Sequence, residues 1–531
     1  MNLKNEDFAF SGDTGDFELL QNDYKLSESA LRFPNVNSIL IPKKAQHNLR
    51  KHVSKPMLRT IDPNIDIAVE KCLVFLYNLA STYYTDSKWK PLNAVLLHKQ
   101  SQNADNTFIY TKIIDVLTTG TNTGAFIEVD GSYQVGSQSK KFRLTETYLK
   151  AGLIEYIIQD AGIIANRNKL YYQQLHEAFQ NPICSNLIAM YPKIDLPTSS
   201  ELLNIGRKLV KEGRTTKKGK ILTIRNKHLN SYWIDADNRS FVEDNIKLFE
   251  FLTGRGFMIP SAGDFHSGGR VVDSFTLMPS WIREQITSEG KKLTECDYSA
   301  LHPNIAIKLY DGSLTYLTHG LVAEKTGIDL KDVKIEHLSF FNMKWDDMRK
   351  SLLFDYYAEH EPDMLARIYQ DKNEHGHKIT SQKMFAVEVA IMSAVIRDLN
   401  AKGVYVLYVY DALLCEEKDS ELVAQTMNRI ILEHGIKTTA KVSTTKENTP
   451  TSETNIDRKL ERIVVAASNI THSLRVKNQI LERLKNGEEL IFVDAVIEFG
   501  KNDTMLDKVL KIYDKQNPEA CYVSESFIKS A

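Results

Sequence analysis

The sequence predicts a multidomain chain of mixed α/β (α+β) class, on three observations. Its 531 residues exceed what a single hydrophobic core organises. Residues 240–440 alternate β-rich runs with helical periodicity. Two of those β-rich runs end on a lone aspartate, Asp297 and Asp411, so the region that defines the class also holds the most pointed chemistry.

The totals bound the rest. A composition of 42% hydrophobic and 25% charged residues is that of ordinary globular protein. No stretch approaches eighteen consecutive apolar residues, so neither a membrane span nor a membrane partner is expected. The first seven residues lack a basic start followed by an apolar run, which argues against a secretory signal. Cys72, Cys184, Cys296, Cys415 and Cys521 lie far apart with no Cys-x-x-Cys pair, which argues against a zinc or disulfide framework and for the reducing cytoplasm. With a net charge of −1, any nucleic acid would be held by local basic patches.

Residues 1–60 are polar and broken by Pro34, Pro42 and Pro56, so an irregular stretch is expected. Across 65–84 the spacing of Ala68, Cys72, Leu73, Leu76 and Ala80 predicts a helix. A helical run at 112–117 and a Gly/Thr turn then lead to two strand-like runs, 125–129 and 141–144. With Lys140, Lys141 and Arg143 on the second arm, this N-terminal region (1–150) fits two readings: a winged helix touching a nucleic-acid backbone, or a small α+β domain with a solvated charged strand. The next region, 151–240, is helical and basic. Its densest part, 207–228, includes Lys217, Lys218 and Lys220 against the single acid Glu212, a density that phosphate contacts favour and that a solvated loop also tolerates. Residues 446–455 read as a linker, and 456–531 as a helical accessory domain without a readable role.

The chemistry sits in 241–445. In the segment 292–302 a short strand ends at Asp297, and a helix is expected over 300–310 with Pro303 in its first turn and Ser299 placed to cap it. In 404–416, a run of aromatic and branched residues meets Asp411 and resumes as an apolar run, the pattern of a hairpin with a carboxylate at its tip. Two rigidly held carboxylates on neighbouring strands suit magnesium or manganese, because Mg²⁺ prefers a few carboxylates plus substrate phosphates to a full protein cage. A pair of such ions stabilises both the attacking and the leaving oxygen of an in-line phosphoryl transfer.

On these residues the sequence resembles the A-family DNA polymerases, and more loosely the single-subunit RNA polymerases that share their right-hand palm. Asp297-Tyr298-Ser299 is similar to the opening of the family's motif A. Gly269-Arg270, Met278-Pro279, Arg283 and Gly290 follow the order of its approach to that strand. Lys350 followed by Phe354 resembles motif B, and Tyr410-Asp411-Ala412, trailed by Glu416, stands in the place of motif C. The resemblance covers about residues 265–420. It implies a palm with helical fingers in 241–445 and a thumb-like role for 151–240. It further implies that Asp297 and Asp411 are catalytic metal ligands, with Tyr298 adding a backbone carbonyl. Lys350, helped by Arg349 on an expected helix over 346–357, would meet the triphosphate, and His302 the sugar. Arg270 fits two readings, contact with primer or template or a loop arginine held in an ion pair, and the glycines before it allow close approach of backbone and substrate; Arg283 would touch primer or template. Lys344, Lys372, Lys378 and Lys383 nearby fit template contact and equally fit ordinary solvated lysines. The implied partners are a DNA template and primer, with RNA left open, and nucleoside triphosphates, in a compact enzyme of phage or mobile-element type.

Several departures bear on that expectation. Asp346 stands where motif B carries an arginine, Tyr410 and Ala412 replace the histidine and glutamate flanking Asp411, and His302 replaces the glutamate that screens the sugar 2′-hydroxyl. No set of acids in 1–250 reads as a proofreading exonuclease. Two other classes stay open: a non-catalytic, initiator-like nucleic-acid-binding protein with a degenerate palm, and a different enzyme on the same carboxylates, whether nuclease, RNA polymerase or untemplated nucleotidyltransferase.

Overall fold

The computed structural model describes residues 30–31, 37–84, 87–101, 108–120, 124–131, 139–216, 219–225 and 238–443, with three short strands further on. Helix and sheet are mixed throughout. By compactness the chain forms two units, one of residues 1–203 with 243–444, the other of 204–242 with 445–531.

The first unit opens where an irregular stretch was expected. Strand β1 (Ser38–Pro42) is followed by helices Ala45–His52 and Lys55–Arg59, the second absorbing Pro56 in its first turn, where no backbone donor is missed. Helix α1 (Ile65–Tyr77) begins where the Asn64 side chain accepts from the Asp66 amide. Strand β2 (Lys90–Pro91), helices α2 (Ala94–Ser101) and α3 (Ile109–Thr119), and strands β3 (Ile127–Val129) and β4 (Lys141–Leu144) come next. β5 (Leu153–Ile157) returns antiparallel to β1. One apolar core serves all of these, with Leu73, Leu76, Ile113, Leu117, Phe126 and Phe142 buried in it. Buried Glu70 ties the module down by accepting from Tyr156 Oη and from the amides of Gln159 and Asp160.

Helix α4 (Ala161–Gln180) is capped by Asp160 and α5 (Pro182–Met190) by Asn181. β6 (Ile194–Asp195) and helix α6 (Ser199–Lys211) come after them. In the second unit β7 (Ile221–Thr223) and β8 (Arg239–Phe241) pair in parallel. Its only described elements beyond residue 444 are strands 495–497, 512–514 and 517–521, one antiparallel sheet. The helical expectation for 456–531 thus meets strands where the chain is described; the stretch on which it rested, 456–467, lies outside the described residues.

The first unit's main sheet carries the two aspartates. After the short pair β9 (Ser261–Ala262) and β10 (Val271–Val272), β11 (Thr287–Ser288) turns into β12 (Lys291–Tyr298). The turn is Glu289-Gly290, both at positive φ (47° and 74°), the two-residue geometry that favours glycine. Strands β13 (Leu407–Val409) and β14 (Ala412–Glu416) form the hairpin expected from 404–416, and the order across the sheet is β13-β14-β12-β11-β6, with β15 (Ala440–Val442) also pairing β12.

Helix α11 (Ser420–Glu433) packs on β12, β14 and β15, while α7 (Leu301–Leu309) and α9 (Pro362–His375) pack on α10 (Ile379–Ala401) and α8 (Phe354–His360) packs on α9. By length and apolarity α10 could cross a membrane; here that composition serves packing, since Ile391, Met392, Val395, Ile396 and Leu399 are all fully buried.

Candidate active site

β12 alternates as a pleated strand must. Cys296 and Tyr298 are buried toward α11, where Tyr298 Oη donates to the Met427 carbonyl at 2.7 Å. Asp297 therefore lies on the opposite face, half-buried, with Ala412 of β14 and Lys441 of β15 as its direct cross-strand neighbours. The turn before Ala412 is Tyr410-Asp411, so the hairpin delivers Asp411 to the strand end that carries Asp297; the Tyr298 amide meets the Asp411 carbonyl at 3.5 Å. Sequence positions more than a hundred apart thus converge at one strand end.

The backbone beside each acid is strained. Tyr410 sits at φ 59° and Ala300 at φ 50°, in the left-handed region that costs a non-glycine residue about 1 kcal/mol. Ala300 corrects the expected cap: Ser299 does not cap α7, because its amide donates to the Thr439 carbonyl and its carbonyl accepts from Thr438 Oγ1. The left-handed residue makes the sharp exit from strand to helix instead.

Behind the acids lies a group that the sequence reading missed. Glu388 of α10 is fully buried. It accepts two hydrogen bonds from Arg270, Nε at 2.8 Å and Nη2 at 2.5 Å, and one from His302 Nε2 at 2.7 Å. The Arg270 guanidinium also stacks 3.6 Å from the Phe385 ring centre and 4.8 Å from that of Tyr410. Burial alone would raise the Glu388 carboxyl, but His302 and Arg270 together hold it below its ordinary value. Asp411 goes the other way: burial and then the nearby Glu388 charge raise its carboxyl, against the pull of His302, a backbone amide and Arg270. The signal for Glu388 was available, as a lone acid three residues after Phe385 on the apolar stripe of α10.

This arrangement corrects several expectations. Gly268 does give close approach, but to α10: a Cβ there would sit 2.4 Å from Phe385 Cβ. Arg270, only 19% exposed, is held by Glu388 rather than projected toward nucleic acid. Arg283 braces the backbone, donating to the carbonyls of Phe275 and Met278. The helix expected over 346–357 breaks at Arg349 into Trp345–Met348 and α8. Lys350 is exposed and 3.5 Å from Asp347, and nothing described joins it or the exposed Arg349 to the aspartates. Lys372 is buried, its amine donating to the carbonyls of Phe341, Met343 and His377, and Lys383 pairs with Asp371, so neither is placed to track a template. Lys220 is half-buried in the run into β7; Lys217 and Lys218 lie outside the described residues.

Among the described residues no group of three or more His, Cys, Asp or Glu could hold a metal ion. The site offers two hard carboxylates, and Tyr298, its side chain turned into the core, has only its backbone to add. That donor set fits Mg²⁺ or Mn²⁺ completed by water and phosphate oxygens, and not a closed zinc cage.

No protein-family model matches the chain, and no curated protein matches it. Among solved structures, the POL domain of Pol1 from M. smegmatis, in complex with DNA primer-template and dNTP, is similar over 56% of this chain and 75% of that one, at 10% identity and a TM-score of 0.32. A likeness at that level establishes neither a shared fold nor a shared activity.

Proposed function

We propose that this chain is a template-directed nucleotidyltransferase, a DNA polymerase without proofreading, acting through Asp297 and Asp411. The observation that carries the reading is their convergence at one end of β12 and the adjoining hairpin turn, on the sheet face away from α11. When bound, divalent metal would supply the electrostatic stabilisation of attacking and leaving oxygens that phosphoryl transfer requires. Asp297 and Asp411 hold that charge in place on backbone fixed by strand pairing. Arg270, Glu388 and His302 brace the turn from behind, and the Tyr410 ring, stacked on Arg270, fixes the hairpin against α10. The exposed Arg349 and Lys350 lie in the turn between Trp345–Met348 and α8, between the two aspartates in sequence, and would meet the triphosphate.

Primer extension with magnesium tests this. The expected result is extension on a primed DNA template, lost in both Asp297→Asn and Asp411→Asn, with dNTPs and NTPs offered separately to read what His302 admits. A second reading, an initiator-like binding protein with a degenerate palm, is favoured by Tyr410 and Ala412 beside Asp411. It expects no incorporation from any primer and nucleic-acid affinity unchanged by the two substitutions.

A further inference from the structure

The first unit contains an array that the catalytic reading does not use. α1, β2, α2, α3, β3 and β4 run helix, strand, helix, helix, strand, strand, and the strands lie side by side as β2-β4-β3. The last strand is therefore central, and three helices close over a small antiparallel sheet. That connectivity and that strand order are those of a winged helix, in which α2 and α3 form the helix-turn-helix pair.

The packing assigns the faces. Ile113, Val116 and Leu117 of α3 are buried, and the Phe126 amide donates to the Leu117 carbonyl, so the inner face of α3 is fixed against the sheet. On its outer face Thr111, Lys112, Asp115 and Thr119 are exposed, a surface of short hydrogen-bonding and charged side chains. Phe108, just ahead of α3, is 66% exposed, with its ring centre 4.9 Å from that of His98 and tilted against it. Lys99 on α2 and Lys140 at the entry to β4 are exposed on neighbouring elements. Arg143, further along β4, is held by Glu128 and lies over Trp89.

We propose that this module docks double-stranded DNA, with α3 in the major groove. The groove is about 12 Å wide and admits one helix. Threonine and lysine side chains can read base edges, an exposed Phe at the start of the helix can meet a thymine methyl, and lysines on the adjoining elements can meet the phosphates that wall the groove. A protein partner would use instead the exposed Val95 and Leu96 of α2.

The test uses the full chain and a fluorescent blunt-ended DNA duplex of mixed sequence, about two helical turns long. The expected result is duplex binding that Lys112→Glu with Lys140→Glu weakens at least about tenfold, with a shallower salt dependence and an unchanged melting temperature. Hydrogen exchange should slow in α3 when the duplex is added to the wild type. Three outcomes overturn the proposal: affinity unchanged by the pair of substitutions, no protection of α3, or preference for duplex RNA of the same sequence. The binding readout needs no catalysis. Absence of primer extension would therefore remove the polymerase reading alone, and retained extension with unchanged duplex affinity would remove this one alone.

Discussion

Replacing Glu388 should destabilise the protein more than any single surface change, and by an amount that its geometry sets. The carboxylate is fully buried and receives three hydrogen bonds, two from Arg270 and one from His302, all between 2.5 and 2.8 Å. Glu388→Leu leaves the Arg270 guanidinium, itself only 19% exposed, without its counter-charge. Removing one member of a buried pair costs about 3–5 kcal/mol, because the surviving charge stays desolvated. Removing both members together need not, since a well-packed apolar pair avoids desolvation altogether. Arg270→Met combined with Glu388→Leu should therefore recover part of the loss, as the methionine can still lie on Phe385. Urea unfolding of the wild type, both single variants and the double variant at pH 7 measures this as a double-mutant cycle. A Glu388→Leu loss below about 1 kcal/mol, or a double variant no more stable than Glu388→Leu, would refute the claim that this pair holds α10 to the 268–270 loop.

Asp411→Asn should leave the protein as stable or more stable by about 1 kcal/mol, because it removes a charge that burial and the nearby Glu388 disfavour. The sign is clear: a folded carboxyl raised above its ordinary value weighs against folding at neutral pH, so thermal melting should move up and not down. His337 is buried between His319 and Tyr357, and burial lowers its pKa to about 3, with His319 at about 4. The unfolded chain therefore takes up protons first, and stability should fall by about 1.4 kcal/mol per unit for each group as pH drops from 6.5, down to about 4 for His319 and about 3 for His337. Urea midpoints at pH 7 and pH 5 read that slope, which His337→Leu should flatten. Lys372→Met strips three carbonyls of their donor and should cost about 2–4 kcal/mol, also read in urea; a neutral result would mean that water satisfies them.

What the sequence disclosed came from local rules. The strand ending at Asp297, the hairpin tipped by Asp411 and the helix after Ala300 each rest on residues close together in the chain, and periodicity and turn chemistry read them. The failures were of another kind. Ser299 has the chemistry of a cap, but hydrogen bonds with the Thr439 carbonyl and the Thr438 hydroxyl claim its backbone first, and a left-handed Ala300 makes the turn. The helix over 346–357 broke because Lys350 and Ser351 donate back three residues, to Asp347 and Met348, tightening and ending the turn. Arg270, Arg283 and Lys372 look identical in sequence to cations that reach for phosphate. Only the fold shows that each faces a buried carboxylate or a set of carbonyls. Glu388 was hidden for the same reason, since its partners stand 118 and 86 positions away.

The position of β12 has a consequence for how the molecule comes into being. Its flanking strands, β14 and β15, are both made long after it, so a growing chain emerges from the ribosome with Asp297 on a strand that has no neighbour on either side but the short β11. The two aspartates can meet once β14 is free, but the sheet closes only when Val442 is free as well. Such late, non-local pairing is slow and leaves an open strand edge exposed in the meantime. A chain released after Glu416 but before Ala440 would have its hairpin formed and β12 still open along one side. The minimal fragment worth expressing therefore runs through Val442.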